Sequence, residues 1–419
     1  MSLFKIVKEK IFYGWWIVAI SLVIGSALFG IQYSFGVFFK TLQKEFELTR
    51  TETSSLFFAY MILCGVFVIL IGWILDKYGP RLVVFLMGFL SGLSLLLTSQ
   101  ANSSWQLFLS YSLLLSMGTA GTMPVLMSII SRWFNSKRGL ALGIGGAGSG
   151  LGTMAMAPFA TYLISNLGWR MSYIVIGLVT WLVVIPLSML LKNDPSQIGT
   201  LPDGVKLEAA TAKVRNREGS SQLSGLSLLQ SSRTGSFWLI LAIWLSLGLC
   251  LSLVFVHLVP YATDTGIAAT RAAIALSLMG CFNILSRLLT GKISDIVGRK
   301  MPIIICLLLQ AGALVWLIWS HQPWMFYLFA VVYGLSWGGL GVVPYAMAAD
   351  IFGERNLGLI LGMINVGFAI GSAIGPLLGG FIFDVTGSYN VAFAIAAAAM
   401  FVTALLAALT RLDENIGTN

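Results

Sequence analysis

Charged side chains are scarce in this sequence. Only 10% of its 419 residues are Asp, Glu, Lys or Arg, whereas 58% are apolar. Water-soluble domains carry about 25% charged residues, so this composition excludes an ordinary soluble fold. Apolar stretches long enough to cross a hydrocarbon core recur from Trp15 onward, which predicts an integral membrane protein.

Groups that carry catalysis or bind metals are also few. The four cysteines lie inside apolar stretches without the spacing of a metal site; they are Cys64, Cys250, Cys281 and Cys306. No Ser/His/Asp, Cys/His or metal-ligand constellation occurs within one region, so we expect no enzyme, no metal and no cofactor. The glycine-rich run 143–152 follows no strand, so we expect it to allow close helix packing rather than to bind a nucleotide.

Twelve apolar stretches predict twelve membrane-spanning helices. The first is too long for the core of a signal peptide and lacks a clear cleavage site, so we expect it in the mature protein. The central stretch 193–235 loses the apolar run and gains Pro, Gly, Ser and charge, which is typical of a linker. The predicted spans are 14–39, 53–76, 82–100, 104–132, 138–166, 170–192, 236–262, 270–294, 300–320, 323–349, 356–383 and 389–410.

Positive charge is distributed unevenly along the chain. Of the 25 Lys and Arg residues, 19 fall on the amino-terminal side of the membrane, five on the other side and one, Arg287, inside a span. The positive-inside rule therefore predicts that both termini are cytoplasmic, in a bacterial inner membrane or a plasma membrane. This placement explains the net charge of +9, so we expect a lipid bilayer and no nucleic acid as partner.

The two sides of the linker repeat each other. GWILDKYGPR at 72–81 recurs as GKISDIVGRK at 291–300, a displacement of 219 residues. Three further pairs keep nearly the same displacement: Arg138 with Arg355, Pro158 with Pro376, and Gly168 with Gly387. We therefore expect one six-helix bundle over 1–192, a cytoplasmic linker over 193–235 and a second bundle over 236–419, with a cavity between the bundles.

The repeated loop carries a recognisable resemblance. Gly72, Asp76 and Arg81, with their second copy in 291–300, resemble the loop signature of the major facilitator superfamily. Within it, GIQYSFGVFFKTL in span 1, VHLVPYATDTGI in span 7 and the Arg of span 8 are similar to the monocarboxylate transporters and the related oxalate/formate antiporters. The resemblance implies an all-α membrane protein of two pseudo-symmetric bundles that moves a solute by alternating access. We expect it to function as a monomer.

The repeated loop also supplies candidate gating charges. Asp76 lies where a helix ends and the chain turns, so it is placed to accept backbone hydrogen bonds or to pair with Arg81 or Arg132. Asp295 and Arg299 repeat the arrangement in the second half. We expect these pairs to hold the halves together on the cytoplasmic side; the alternative is a solvated interfacial charge cluster.

Arg287 has no evident partner inside the membrane. None of the sixteen Asp and Glu residues falls at the middle of a predicted span. A carboxylate brought by the substrate would complete the ion pair, and Asn283, one turn earlier on the same helix face, would orient the guanidinium or donate to the same carboxylate. The alternative is that the side chain extends to the cytoplasmic interface near Lys292, about 7.5 Å along the axis.

Further residues are candidates for the cavity wall. His257 in VFVHLVPY is the titratable candidate for a coupling proton, or else a neutral buried histidine. Tyr33 stands where the resemblance implies a Lys in several animal monocarboxylate transporters; we expect it to hydrogen-bond the substrate or to pack. Asn283 stands where the family has a proton-carrying Asp, so the resemblance does not supply that route. The remaining candidates are Gln32, Leu28, Phe282, Phe368 and, on one aromatic face of span 10, Tyr333 and Trp337.

The number of cations selects the substrate class. Antiporters of oxalate and formate are expected to use cations from spans 8 and 11, whereas span 11 here contains Asn365 and no Lys or Arg. One cation suits one carboxylate, and the resemblance implies lactate or pyruvate with a proton as co-substrate. The alternatives are an anion exchanger of the oxalate/formate type, a carrier of a neutral or cationic solute, and a receptor, which the short central stretch disfavours.

Overall fold

The computed structural model describes residues 12–135, 137–198, 200–204, 228–341, 343–353 and 357–409. Within these ranges, eleven helical stretches are long and apolar enough to cross a membrane. The longest, Arg138–Leu190, has 53 residues. A straight helix of that length would extend over about 80 Å, far beyond a ~30 Å hydrocarbon core. Gly168 breaks it with φ 77° and ψ 166°, so this stretch crosses the membrane twice.

The described chain therefore contains twelve membrane helices, which confirms the sequence prediction. They are α1 (Tyr13–Glu45), α2 (Arg50–Tyr78), α3 (Pro80–Ser99), α4 (Ser104–Trp133), α5 (138–167), α6 (169–190), α7 (Gly235–Asp264), α8 (Ala269–Val297), α9 (Lys300–Ile318), α10 (Pro323–Phe352), α11 (Leu357–Thr386) and α12 (Asn390–Leu409). Short helical turns occur at Pro195–Ile198, Pro202–Gly204 and Leu228–Ser231. We call the side where α1 begins and α12 ends the terminal face, and the opposite side the distal face.

The internal repeat is visible in the backbone. Gly79 and Gly298 end α2 and α8 with φ/ψ of 81°/167° and 87°/162°. Two other pairs of residues with positive φ are separated by the same 219 residues: Glu47 with Gly266, and Gly168 with Gly387. Glycine suits these turns because it has no Cβ to clash at positive φ. The two bundles thus repeat one chain path, whereas the linker boundary at 193–235 stays a prediction.

In the part of the chain that the structure describes, four membrane helices are interrupted along their length. The pieces are Tyr13–Tyr33 and Phe35–Glu45 in α1; Ser104–Leu107, the π-helical Phe108–Leu114, Leu115–Thr119 and Thr122–Trp133 in α4; Arg138–Gly146 and the part after Ala147 in α5; and Pro323–Leu340 and Val343–Phe352 in α10. Irregular backbone inside a membrane is tolerated where it is buried in protein or lines a cavity. Interrupted helices are typical of substrate sites in transporters.

In the described chain the halves touch through α2 with α11, α5 with α8 and α1 with α7, and the first two of these pairs separate towards the terminal face. A methyl group built on Gly65 would lie 3.9 Å from an α11 side chain. On Gly72, about two turns further along the same face of α2, it would meet no described atom within 4 Å. In α5, a methyl group on Gly150 would lie 2.7 Å from an α8 carbonyl oxygen, whereas Gly143 has no described atom that close. The cavity between the halves therefore opens towards the terminal face.

Candidate functional site

The guanidinium of Arg287 lies between the two halves. Its Nε donates to Oδ1 of Asn283 at 3.2 Å on α8, and its Nη2 donates to Oγ of Ser149 at 3.3 Å on α5. A methyl group on Gly146 or Gly341 would lie 3.0 Å from a guanidinium nitrogen. These two glycines are at the interruptions of α5 and α10, so small residues and broken helices make the space that Arg287 occupies.

Hydrogen-bond donors around Arg287 outnumber the hydrogen-bond acceptors. Within the described part of the chain, Arg287 forms no ion pair, and the acids that do pair with cations belong to other regions: Glu45, Asp264 and Asp350. The side chain of Asn283 is fully buried, and its Nδ2 group has no described hydrogen-bond partner. A buried N–H group without an acceptor is costly, so this arrangement fits a ligand that brings anionic or carbonyl oxygens.

Aromatic rings join the halves beside this site. Tyr33 of α1 stacks on Phe255 of α7 with ring centroids 4.2 Å apart, and Trp337 of α10 meets these rings edge-on at 5.9 and 5.3 Å. Tyr33 and Tyr345 lie near Arg287. The Tyr345 hydroxyl donates to Oδ1 of Asn365 on α11 at 3.0 Å. Tyr33 and Trp337 are therefore near the cation, and sequence reasoning did not identify Ser149 or Phe255.

The other predicted wall residues have different surroundings. Leu28 belongs to the apolar core of the first half, and Tyr333 is fully buried in the second half with its hydroxyl unpaired among described residues. Phe368 packs on Trp244 of α7, with ring centroids 5.6 Å apart. Phe282 and Gln32 are half-buried. None of these placements establishes a ligand contact, so they remain candidates.

His257 lies nearer the distal face, in a hydrogen-bond chain that crosses the halves. Its Nε2 is 2.8 Å from the carbonyl oxygen of Pro376, which only accepts, so Nε2 carries the proton. Its Nδ1 is 3.0 Å from the Tyr389 hydroxyl, and that hydroxyl accepts from Nη1 of Arg50 at 2.6 Å. Nδ1 therefore accepts from Tyr389, and the imidazole is neutral in this arrangement. Ser54 of the first half approaches Nε2 at 3.4 Å.

A group of charges closes the distal face, and we call it the distal cluster: Lys40, Arg50, Asp264, Asp384 and Tyr389. Arg50 at the start of α2 forms a two-pronged ion pair with Asp264 at the end of α7, with N–O distances of 2.7 and 3.0 Å. Lys40 contacts the same carboxylate at 2.5 Å. The carboxylate of Asp384 accepts from the backbone N–H groups of Arg50 and Thr51 at 3.1 and 2.7 Å. All of these bonds connect the first half to the second.

Sequence reasoning placed gating charges on the terminal face and missed this cluster. The available signal was that Lys40, Arg50, Asp264 and Asp384 all end or begin predicted spans on the same side. On the terminal face, Arg299 pairs with Asp350 at 3.0 Å within the second half. In the described chain no ion pair is made by Asp76, Arg81 or Arg132, and the side chain of Asp295 lies outside the described part. A terminal gate stays a prediction for a state in which that face is closed.

Known proteins resemble this chain over most of its length. A family model described as Major Facilitator Superfamily matches residues 20–298 and 256–418. Monocarboxylate transporter 13 of Bos taurus is 28% identical over 400 residues, covering 92% of this chain and 87% of that protein. Monocarboxylate transporter 2 of Homo sapiens is 27% identical over 399 residues, covering 90% of this chain and 81% of that protein.

Solved structures share the fold at low sequence identity. A D-xylose-proton symporter has a TM-score of 0.75 at 16% identity and covers 97% of this chain and 100% of its own. A bacterial homologue of the human lysosomal transporter Spinster, inward-facing and unoccupied, has a TM-score of 0.70 at 15% identity and covers 95% of each chain. Because the family model spans nearly all of the two repeated six-helix bundles, the chain belongs to the Major Facilitator Superfamily and is a membrane transporter.

Proposed function

We propose that this carrier moves a small monocarboxylate of the lactate or pyruvate type, together with a proton, by alternating access. The substrate carboxylate pairs with Arg287 in the central cavity, and both chain termini face the cytoplasm. The terminal face is then the inner face, and the described arrangement is open to the inside. The names of the similar transporters support the substrate class, and the single membrane-embedded cation supports one carboxylate per cycle.

The observation that carries this proposal is the set of unmatched donors around Arg287. The guanidinium bonds only to the neutral groups of Asn283 and Ser149 among described residues, and Nδ2 of Asn283 has no partner there. A carboxylate between these groups would accept from a planar guanidinium fork and from an amide N–H. Neutralising the cation also lowers the free-energy cost of closing a dry cavity around it.

Proton coupling is assigned to His257. Nδ1 is free of a proton in the closed distal arrangement because Tyr389 donates to it. A proton on Nδ1 would face the Tyr389 hydrogen, which cannot turn towards Arg50 because Arg50 is also a donor. Proton uptake by His257 therefore disturbs the contacts of Tyr389 and Arg50, which links the proton to the opening of the distal face.

Transport by the purified protein in liposomes tests the proposal. Uptake of radiolabelled lactate, pyruvate, formate and oxalate is measured with and without an inward proton gradient, and with and without internal anion. Gradient-stimulated uptake of lactate or pyruvate supports proton symport. Uptake that requires internal oxalate or formate would assign an exchanger instead. Absence of carboxylate uptake in every condition would leave a neutral or cationic solute and overturn the proposal.

A further inference from the structure

The distal cluster holds a carboxylate between two cations of the other half. Asp264, on α7 of the second half, receives the guanidinium fork of Arg50 and the ammonium group of Lys40, both from the first half. The side chain of Arg50 is only 8% exposed, and its guanidinium lies 3.5 Å from the ring centroid of Phe383 on α11. A guanidinium fork with an ammonium group beside it binds free carboxylates well, and in this structure the carboxylate of Asp264 occupies these donors.

We propose that Lys40 and Arg50 form an outer binding site for carboxylate anions, which Asp264 occupies while the distal face is closed. The inference rests on the proposed function for its side of the membrane and its substrate class. When the halves separate at the distal face, Asp264 leaves with α7 and the two cations stay with the first half. A carboxylate from the outer solution then meets the same donors before it reaches Arg287.

The described acids of the first half do not take the place of Asp264. Glu45 bonds to Arg170 at 3.1 Å, and Glu52 accepts from the backbone N–H of Thr49 at 2.8 Å. Glu47 is exposed. Opening therefore leaves two cations that no neighbouring carboxylate of their own half neutralises, and an anion that binds only this open state stabilises it. External carboxylate is thus expected to favour the outward-open carrier.

The test measures how fast a cysteine beneath the cluster reacts from outside. The four native cysteines are replaced by serine, and Ser54→Cys is added as the reporter, because Ser54 is fully buried and faces His257 across the halves. Right-side-out vesicles receive a membrane-impermeant thiol reagent. All variants also carry Arg287→Ala, which removes the central site. Acetate outside is expected to accelerate labelling several-fold over chloride at equal ionic strength, because it binds only the open state.

Matched variants separate the outer site from other effects. With Arg50→Ala, labelling is expected to be about tenfold faster and insensitive to acetate, since the ion pair and its donors are gone. Arg170→Ala is the control: its partner Glu45 lies in the same half, so the acetate effect should persist. Arg50→Lys keeps the positive charge but lacks the planar two-pronged donor geometry, so its labelling rate should respond only weakly to acetate. This result in a folded carrier would show that the acetate effect depends on the guanidinium geometry.

Two results would overturn the inference. Equal labelling in acetate and chloride would show that the outer cations bind no carboxylate, and an unchanged rate with Arg50→Ala would show that the cluster does not hold the face closed. Because labelling requires no transport, these failures are distinguishable from failure of the proposed function. That failure would appear as absent carboxylate uptake while the acetate effect on labelling is retained.

Discussion

Asn283 presents a buried N–H group that no described acceptor satisfies, and Arg287 beside it forms hydrogen bonds only to neutral groups among the described residues. An unpaired polar group costs about 1–3 kcal/mol, and an uncompensated charge costs more. Nearby glycines, the interruptions of α5 and α10, and the hydroxyl of Ser149 lower this cost only in part, because none of them supplies an anion. A bound substrate anion would remove this free-energy cost, so substitutions at these residues give the clearest predictions for transport.

Replacing Arg287 is expected to abolish uptake. Arg287→Ala should lower lactate uptake by about 100-fold or more, and Arg287→Lys should restore little, because an ammonium group cannot form the planar two-pronged pair. Uptake into liposomes at equal protein incorporation provides the measurement. Arg271→Ala is the control, since Arg271 is an exposed arginine on the same helix. Undiminished uptake by Arg287→Ala would remove the central assignment.

Replacing His257 is expected to uncouple transport from the proton gradient. His257→Gln keeps an N–H donor for the Pro376 carbonyl but cannot bind a proton near neutral pH, so gradient stimulation should be lost while exchange of labelled lactate persists. The other histidine supplies the matched control. His321→Gln alters an exposed side chain between α9 and α10 and should keep full stimulation. Full stimulation in His257→Gln would place the coupling proton elsewhere.

At the scale of helices, the contacts of α2 with α11 and of α5 with α8 behave as hinged pairs. α2 and α11 pack tightly near the distal face, where a methyl group on Gly380 would lie 2.6 Å from the carbonyl oxygen of Arg50, and they are further apart at Gly72. Small residues let helix backbones approach closely. The same glycines that leave space in the present state are therefore expected to become contacts when the terminal face closes.

Gly72 offers a test of this closure. In the present state a Cβ atom on Gly72 would have no described atom within 4 Å, so the Gly72→Leu variant should keep the fold. The larger side chain should, however, hinder closure of the terminal face. We expect lactate uptake to fall at least about tenfold, because the added side chain opposes close helix approach. Gly312→Leu on α9 makes the same change at a similarly open but exposed position and should transport normally. Equal uptake by the two variants would mean that α2 does not close at Gly72.

At the scale of the whole molecule, much of the architecture was predictable because it follows from hydropathy. The twelve spans, the repeat around Gly79 and Gly298, and the isolated position of Arg287 needed only apolar length, local motifs and the absence of acids. The distal cluster was not predictable, because Arg50 and Asp264 are 214 residues apart and only the packing of the halves brings them together. Which face is closed is a property of the assembled halves, and neither composition nor periodicity encodes it.

The direction of opening gives a prediction for the whole carrier. Gly143 lies about two turns from Gly150 on the same face of α5, on the terminal side of the contact with α8. In a background without native cysteines, Gly143→Cys should react with an impermeant thiol reagent from the cytoplasmic side and not from outside. Ser277→Cys is the control. Ser277 donates to the carbonyl oxygen of Met154 across the halves at 2.9 Å, on the closed side, so it should react slowly from either side. Rapid labelling of Gly143→Cys from outside alone would show that the terminal face is the outer face, which would reverse the proposed orientation.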